Sequence, residues 1–218
     1  MKGSPGKREV RLAAVELALF VALVLSFIWI WAGTFRHANR LVLALGLGLT
    51  ITTHLLHREK LADLGLRLDN LVPALKEAAL PLVPLVSLLL LLGAANGTLD
   101  TAALDPGRFI EVFAWGFLQQ YLLQGFIHRR VAILIPASPW REVTVGLIFS
   151  AFHWPNPVLV LVTFLAGYVF AVLFRRQPNL VVLALCHAVG STVVAFAFDP
   201  GILHKMRVGP GYLRWRSG

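Results

Sequence analysis

Long apolar segments set the strongest limit on the fold of this 218-residue chain. Several of them approach or exceed the roughly 17–25 residues that a helix needs to cross the hydrocarbon core of a bilayer. Strand-like alternation with regular turn signals does not recur, which disfavours a β-barrel. Only 14% of the residues are charged, against about 25% in an ordinary soluble domain. The sequence therefore predicts an all-α, polytopic transmembrane helical bundle with about seven or eight spans, folded as a single membrane domain over residues 1–218.

Seven apolar segments are the candidate spans. The first is longer than the apolar part of a cleavable signal peptide, which has about 7–15 residues, so we interpret it as an uncleaved transmembrane helix. Pro81 and Pro84 fall inside the third, where we expect kinks rather than a break. The connection at residues 57–70 is expected to lie along the interface as a short amphipathic piece. The segments are Leu12–Gly33, Leu41–Leu56, Val72–Ala94, Phe109–Ile127, Val143–His153, Val158–Phe174 and Leu180–Phe198.

The formal net charge of +9 comes from basic residues between and beyond the apolar segments. Such residues set the orientation of a membrane protein and touch anionic headgroups of the lipid bilayer, so they do not indicate nucleic-acid binding. Their distribution predicts an integral protein of a bacterial-type inner membrane with a cytoplasmic N-terminus. The basic tail after Asp199 disagrees with seven simple spans, which leaves two alternatives: a tail tolerated outside, or one re-entrant segment.

The fourth segment carries polar side chains in an apolar setting. Gln120, Gln124 and His128 follow one another at four-residue intervals, which stacks them on one face of an α-helix, and Gln119 lies beside that face. Intramembrane polar residues are functional candidates because their burial in lipid is costly. The stripe is therefore expected to point towards a site or towards other helices.

Two later segments also carry polar residues at membrane depth. Phe149 and His153 are followed by Asn156, and His187 is followed by Ser191 one helical turn later. Each alone has a structural explanation, because a lone membrane histidine or glutamine often ties neighbouring helices together. Two histidines beside a helix with three amides are less easily explained in this way, and we expect the three segments to line one intramembrane cavity.

These residues resemble the CAAX protease and bacteriocin-processing (CPBP) family of intramembrane proteases. That family shows Glu-Glu-x-x-x-Arg, then Phe-x-x-x-His, then His-x-x-x-Asn or Asp. Phe149 with His153 matches the second motif, His187 matches the third, and the family-like core covers roughly residues 109–198. The resemblance implies a membrane endopeptidase in which a glutamate, helped by histidine, activates water to attack a peptide bond.

The first motif departs from the family pattern in a consistent way. Gln119 and Gln120 stand where the glutamates are expected, Gln124 stands for the arginine, and Ser191 stands for the last Asn or Asp. An amide cannot act as a general base, because it has no pKa near neutral pH. The three neutral replacements fit one another, since losing only the acids would leave a buried cation unpaired. Two hypotheses follow: an endopeptidase with weak or altered activity, or a catalytically silent relative that binds a membrane peptide or partner.

In the first hypothesis, His153 activates water, and His187 with Gln119 or Gln120 stabilises the oxyanion. A zinc site built from the two histidines and His128 is disfavoured, because His128 lies at a helix end beside two arginines. We therefore predict no metal and no cofactor. The expected partner is a membrane-embedded peptide or protein substrate, and the oligomeric state is left open. The residues expected to contact the peptide are Gln124, Phe149, Asn156 and Ser191.

Overall fold

The computed structural model describes residues 5–32, 37–136 and 138–216, and it confirms the all-α class, with no strand among these residues. Two segments are π-helical: Phe27–Trp31 continues α1, and Tyr121–His128 joins α4 to α5. The helices are α1 (Lys7–Ser26), α2 (Ala38–Leu56), α3 (Leu71–Asn96), α4 (Pro106–Gln120), α5 (Arg129–Leu134), α6 (Trp140–Ala151), α7 (Pro157–Arg176), α8 (Leu180–Ala197) and α9 (Gly209–Arg216).

Five helical segments are long and apolar enough to cross a membrane. They correspond to five of the seven predicted spans, although the predicted end of the first at Gly33 lies outside the described residues. The predicted fourth span is divided between α4 and the π-helical segment, and α6 has 12 residues, about 18 Å of helix against a hydrocarbon core of about 30 Å. The count of seven or eight spans is therefore not confirmed. The five are Lys7–Trp31, Ala38–Leu56, Leu71–Asn96, Pro157–Arg176 and Leu180–Ala197.

Helix α3, which begins at Leu71, runs unbroken through Pro81 and Pro84, as expected. Residues 57–70, which precede it, form successive turns. Their predicted position along the membrane interface stays a prediction. Gly65 has a φ of +81°, a left-handed conformation that ends regular helix and that glycine adopts without steric cost.

The described chain divides into two compact units that interleave along the sequence. The first unit contains residues up to Glu59, then Phe126–Tyr168, then the chain from Arg207 onward. In it, α1 packs against α2 and α5, with the rings of Phe20 and Phe126 5.1 Å apart at its centre. Both side chains are buried, so this contact is part of the unit's core.

The second unit contains Lys60–Gly125 and Val169–Met206. Helix α8 packs against both α3 and α4. Close approach of α3 and α8 depends on Gly93, because an added Cβ would lie 2.9 Å from the carbonyl oxygen of Ala197. The buried side chains of this core are Ala74, Ala78, Leu173, Phe174, Leu180, Val182, Leu183 and Cys186.

Candidate functional site

The three glutamines lie where α4 passes into the π-helical segment. Gln120 ends α4 and Gln124 lies in the π-helical turns. Both are completely buried, and Gln119 is half-buried. Their burial agrees with an inward-pointing stripe. In a π-helix the hydrogen bonds run between residues five apart, so Gln124 and His128 do not follow Gln120 at the regular α-helical spacing that the sequence predicted.

Gln120 contacts His187 of α8 and keeps one hydrogen-bonding group unused. Its Nε2 lies 3.3 Å from Nδ1 of His187. Its Oε1 is buried and has no hydrogen-bond partner among the described residues. Turning the carboxamide over would exchange donor and acceptor, but one of its ends would still be unpaired. The Gln120 side chain therefore holds His187 and offers a further donor or acceptor to a bound group.

Gly116 makes room for the His187 ring. It lies one turn before Gln120 on α4, and a Cβ added there would come within 3.1 Å of Cγ and Cδ2 of His187. The ring of Phe170 lies 6.4 Å from the imidazole, measured between centroids. Ser191, one turn further along α8, is half-buried. We use the name amide site for Gln119, Gln120 and Gln124 together with Gly116 and His187.

The start of α8, which carries His187, is fixed by Asn179. The Asn179 Oδ1 accepts a hydrogen bond from the Val182 N–H and so caps the helix. Its Nδ2 donates to the carbonyl of Arg67 and to Oδ1 of Asn70. Asn179 is completely buried. The turns at residues 65–70 therefore fix where α8 begins and, through the helix, where His187 lies.

His153 belongs to the first unit, in the turn that follows α6. Its Nδ1–H donates to the carbonyl oxygen of Phe149 at 2.8 Å, and the two rings are 4.9 Å apart in an edge-on arrangement. Burial lowers the pKa of His153 below its ordinary value of 6.5, although the hydrogen bond to the Phe149 carbonyl acts in the opposite direction. A neutral His153 therefore carries its proton on Nδ1 and has Nε2 as the acceptor.

The turn that carries His153 is tied to the C-terminal tail. The Gly209 N–H donates to the carbonyl of Trp154, and Asn156 Nδ2 donates to the carbonyl of Arg207. The Asn156 Oδ1 accepts from the Leu159 N–H at the start of α7. Both ends of the Asn156 amide thus have structural partners, and its predicted contact with a peptide stays a prediction. The sequence interpretation treated the tail only as a problem of topology.

A second polar group, absent from the sequence predictions, lies in the first unit. We call it the charged cluster: Glu16, His54, His57, Glu59, Arg129 and Arg130. Arg130 is completely buried and bridges the two acids, with Nε 2.6 Å from Glu16 Oε2 and Nη1 2.9 Å from Glu59 Oε1. Its guanidinium also lies 5.1 Å from the centroid of the Phe126 ring.

The remaining members of the charged cluster complete the pairing of the two acids. His57 Nε2 lies 3.0 Å from Glu16, His54 bonds Glu59 through Nδ1, and Arg129 Nε lies 2.7 Å from Glu59. Burial by itself would raise the pKa of Glu59, but the hydrogen bonds from His54 and Arg130 and the charge of Arg129 bring it well below its ordinary value of 4.5. A carboxylate held ionised in this way is a weak base at neutral pH.

Sequence signals for the charged cluster were present but were interpreted otherwise. Glu16 stands alone among apolar residues of the first span, and an acid there requires a partner. Basic residues between the apolar segments, Arg130 among them, indicate topology by sequence, whereas the structure buries Arg130. Among the described residues, no group of three or more His, Cys, Asp or Glu side chains is arranged to hold a metal ion. The choice of partners for Glu16 depends on packing between distant segments, which one sequence does not reveal.

Comparison with known proteins identifies the central part of the chain. Residues 84–193 match the family model described as Type II CAAX prenyl endopeptidase Rce1-like. This range is half of the chain and contains the predicted site residues, from Gln119 to Ser191. Glu16, Glu59 and the C-terminal tail lie outside it. No curated protein and no solved structure matches the chain.

Proposed function

Because the chain belongs to the type II CAAX prenyl endopeptidase Rce1-like family, we propose that it is an intramembrane endopeptidase-like protein with weak or altered activity. The observation that carries the proposal is the state of His153. Its Nδ1–H is donated to the Phe149 carbonyl, and burial lowers its pKa. A neutral imidazole with an accepting Nε2 is suited to take a proton from water at neutral pH.

In the proposed reaction, His153 replaces the glutamate that the resemblance implies. Its Nε2 accepts a proton from water while the water oxygen attacks the carbonyl carbon of a membrane-embedded peptide. Hydrogen-bond donors from His187 and from Gln119 or Gln120 stabilise the oxyanion. When the C–N bond breaks, the imidazolium returns the proton to the leaving nitrogen. Turnover is expected to be slow, because neither glutamine can share the work of the base.

Four further residues are proposed to form or support the peptide-binding surface. The side chains of Gln124 and Phe149 are buried, and Ser191 is half-buried. Phe149 supports the proposal indirectly, because its carbonyl sets the tautomer of His153. Asn156 acts in our proposal through the turn that follows His153. The whole set is Gln124, Phe149, Asn156 and Ser191.

A second candidate is a catalytically silent relative that binds a membrane peptide. The amide site favours it, since Gln120 pairs with His187 without any carboxylate and has one unpaired amide end. Such an end can hydrogen-bond a peptide backbone without activating water. The neutral replacements at Gln119, Gln120 and Gln124 also support a retained binding surface, because together they avoid a buried unpaired charge.

The test is peptide cleavage by the purified protein in detergent, using a peptide library. Endopeptidase activity requires that His153→Ala abolish the cleavage seen with the wild type. The matched control is His37→Ala, which removes an exposed histidine and should leave cleavage unchanged. Restoring the acids with Gln119→Glu and Gln120→Glu should change the rate. The acid limb of kcat/KM is expected below pH 6.5, because the pKa of His153 is lowered.

The two candidates differ in what they predict for binding without turnover. Fluorescently labelled library peptides that bind the wild type, but are not cleaved beyond the His153→Ala background, would support the silent relative. Cleavage lost in His153→Ala but kept in His37→Ala supports the endopeptidase. Absence of both binding and cleavage would contradict both candidates.

The membrane location and orientation of the chain are the setting for these proposals. Its apolar helices and its family make it an integral membrane protein. Our proposed location remains a bacterial-type inner membrane with a cytoplasmic N-terminus. The basic residues at the start of the first span, Lys7, Arg8 and Arg11, support this orientation.

A further inference from the structure

A cleft in the first unit lies between the end of the first span and the C-terminal helix α9. Its volume is about 160 Å³, more than one ordered water requires. One wall comes from the π-helical segment that ends the span and the other from the start of α9. The lining includes Phe27, Ile28, Val208, Pro210, Gly211 and Arg214.

The cleft is built by close packing of the tail. Gly209 has a φ of +54°, and an added Cβ would lie 2.7 Å from Cγ2 of Ile28. The Gly209 N–H donates to the carbonyl of Trp154, and Tyr212 is buried. The backbone of α9 is therefore fixed against the end of the first span.

The described lining combines apolar walls with a cationic side chain. Among the described residues that line the cleft, Arg214 is the charged one. A ligand that matches both features has an anionic head joined to an apolar chain. Guanidinium groups bind phosphate through paired, charge-assisted hydrogen bonds.

The position of the cleft identifies the source of such a ligand. The first span ends at Trp31, and Trp29 and Trp31 are both exposed. Tryptophans at the end of a membrane helix lie at the level of the lipid headgroups. Because α9 packs against this end of the span, a span end at headgroup level would bring Arg214 close to the lipid phosphates.

We propose that the cleft between residues 27–32 and α9 binds one anionic phospholipid, with its phosphate on Arg214 and its upper acyl chain against Phe27 and Ile28. This site does not depend on peptide hydrolysis. It gives the basic tail a function beyond topology, because the bound lipid would hold α9 at the membrane surface.

The test measures lipid retention by native mass spectrometry of the full-length protein in detergent. The probes are phosphatidylglycerol and phosphatidylcholine, offered at equal concentrations. The wild type should retain phosphatidylglycerol preferentially, and Arg214→Gln should reduce this retention by about tenfold or more, the loss of a charge-assisted contact. Gly211→Leu should cause a comparable loss by filling the cleft, since a Cβ there meets no atom within 4 Å.

Arg207→Gln is the matched charge control. Arg207 is exposed in the same tail and does not line the cleft. Its replacement should lower retention by less than about fivefold, the contribution of one basic residue near an anionic surface. If Arg207→Gln and Arg214→Gln reduce phosphatidylglycerol retention equally, and if added salt abolishes the difference between each variant and the wild type, the attraction is diffuse. That result would overturn the site. Absence of a headgroup preference, or displacement of the lipid by inorganic phosphate alone, would overturn it as well.

Discussion

The charged cluster of the first unit and the amide site of the second unit bury polar side chains in opposite ways. In the charged cluster, Arg130 bridges Glu16 and Glu59 while histidines and Arg129 complete the pairing. In the amide site, the carboxamide of Gln120 pairs with His187, and no residue of the site carries a fixed charge. Both obey one constraint, because a buried charge without a partner is costly.

The difference determines what each region can do chemically. The carboxylates of the charged cluster are fully engaged, and the pKa of Glu59 is held well below its ordinary value, so this cluster stabilises the fold. The amide site contains no acid but keeps an unpaired amide end on Gln120. The amide site can therefore hydrogen-bond a ligand such as a peptide, and any proton transfer there requires a histidine.

The largest expected effect comes from breaking the balance of the charged cluster. Arg130→Gln would leave Glu16 and Glu59 without their shared cation, and removing one partner of a buried ion pair costs about 3–5 kcal/mol. Thermal unfolding in detergent should show a large fall of the midpoint. Arg129→Gln is the comparison variant and should lower the midpoint less, because the Arg129 side chain is 27% exposed and pairs with one acid, whereas Arg130 is completely buried and bridges two.

Neutralising the charged cluster as a whole tests the comparison directly. Glu16→Gln, Glu59→Gln and Arg130→Gln together would reproduce the all-amide composition of Gln119, Gln120 and Gln124. This triple variant should unfold at a higher temperature than Arg130→Gln alone. A triple variant that is less stable than the single one would mean that the cluster is not governed by charge balance.

The reverse change in the amide site should have a somewhat smaller effect. Gln124→Arg places a cation at a completely buried position, at a cost of several kcal/mol, about 3 if neighbours adjust. Adding Gln119→Glu and Gln120→Glu supplies countercharges and should recover part of the unfolding midpoint. The control carries Gln119→Glu and Gln120→Glu without the arginine. Its unfolding midpoint should not recover towards the wild-type value. If the unfolding midpoint of the triple variant does not rise above that of Gln124→Arg, the charges at the three positions are not coupled.

The sequence predicted the amide site better than the charged cluster for a physical reason. Glutamines in an apolar helix are conspicuous because they have no local explanation, and short motifs that contain His153 and His187 follow them along the chain. The family match confirms the resemblance. The shared cavity and the roles of the residues stay predictions.

The charged cluster and the π-helical segment depend on information that local patterns do not contain. Glu16 is paired with His57 and Arg130, which lie 41 and 114 positions away in the chain. Such a partner is chosen by tertiary packing rather than by spacing. The π-helical turns at Tyr121–His128 likewise replace a regular α-helix that the same apolar pattern predicted. The apolar length of the five spans, by contrast, is a local property, and the sequence located them.

A steric change at Gly116 should have a moderate effect confined to the amide site. Gly116→Ala brings a methyl group to 3.1 Å from the His187 ring, and overpacking of this kind costs about 1–3 kcal/mol. Gly190→Ala in α8 is the control, because its added Cβ meets no atom within 4 Å and alanine favours helix by up to about 1 kcal/mol. In a His187→Ala background, the penalty of Gly116→Ala should become smaller, because the ring atoms at 3.1 Å are removed while the Cβ at 3.3 Å remains. A penalty of unchanged size there would mean that Gly116 acts elsewhere.

The smallest expected effect is a dependence of stability on acid to which Glu59 of the charged cluster contributes and the amide site does not. Glu59 has a lowered pKa in the folded state, whereas in the unfolded chain it titrates near 4.5. Around and below pH 4.5 the unfolded state therefore binds more protons, so the stabilisation present above that pH is lost as the pH falls. Unfolding midpoints measured from pH 7 to pH 4 should decrease, and Glu59→Gln should flatten this decrease. Gln120→Leu should leave it unchanged, because the amide of Gln120 does not titrate. An equally steep decrease in Glu59→Gln would assign the acid sensitivity to another group and remove this distinction between the two regions.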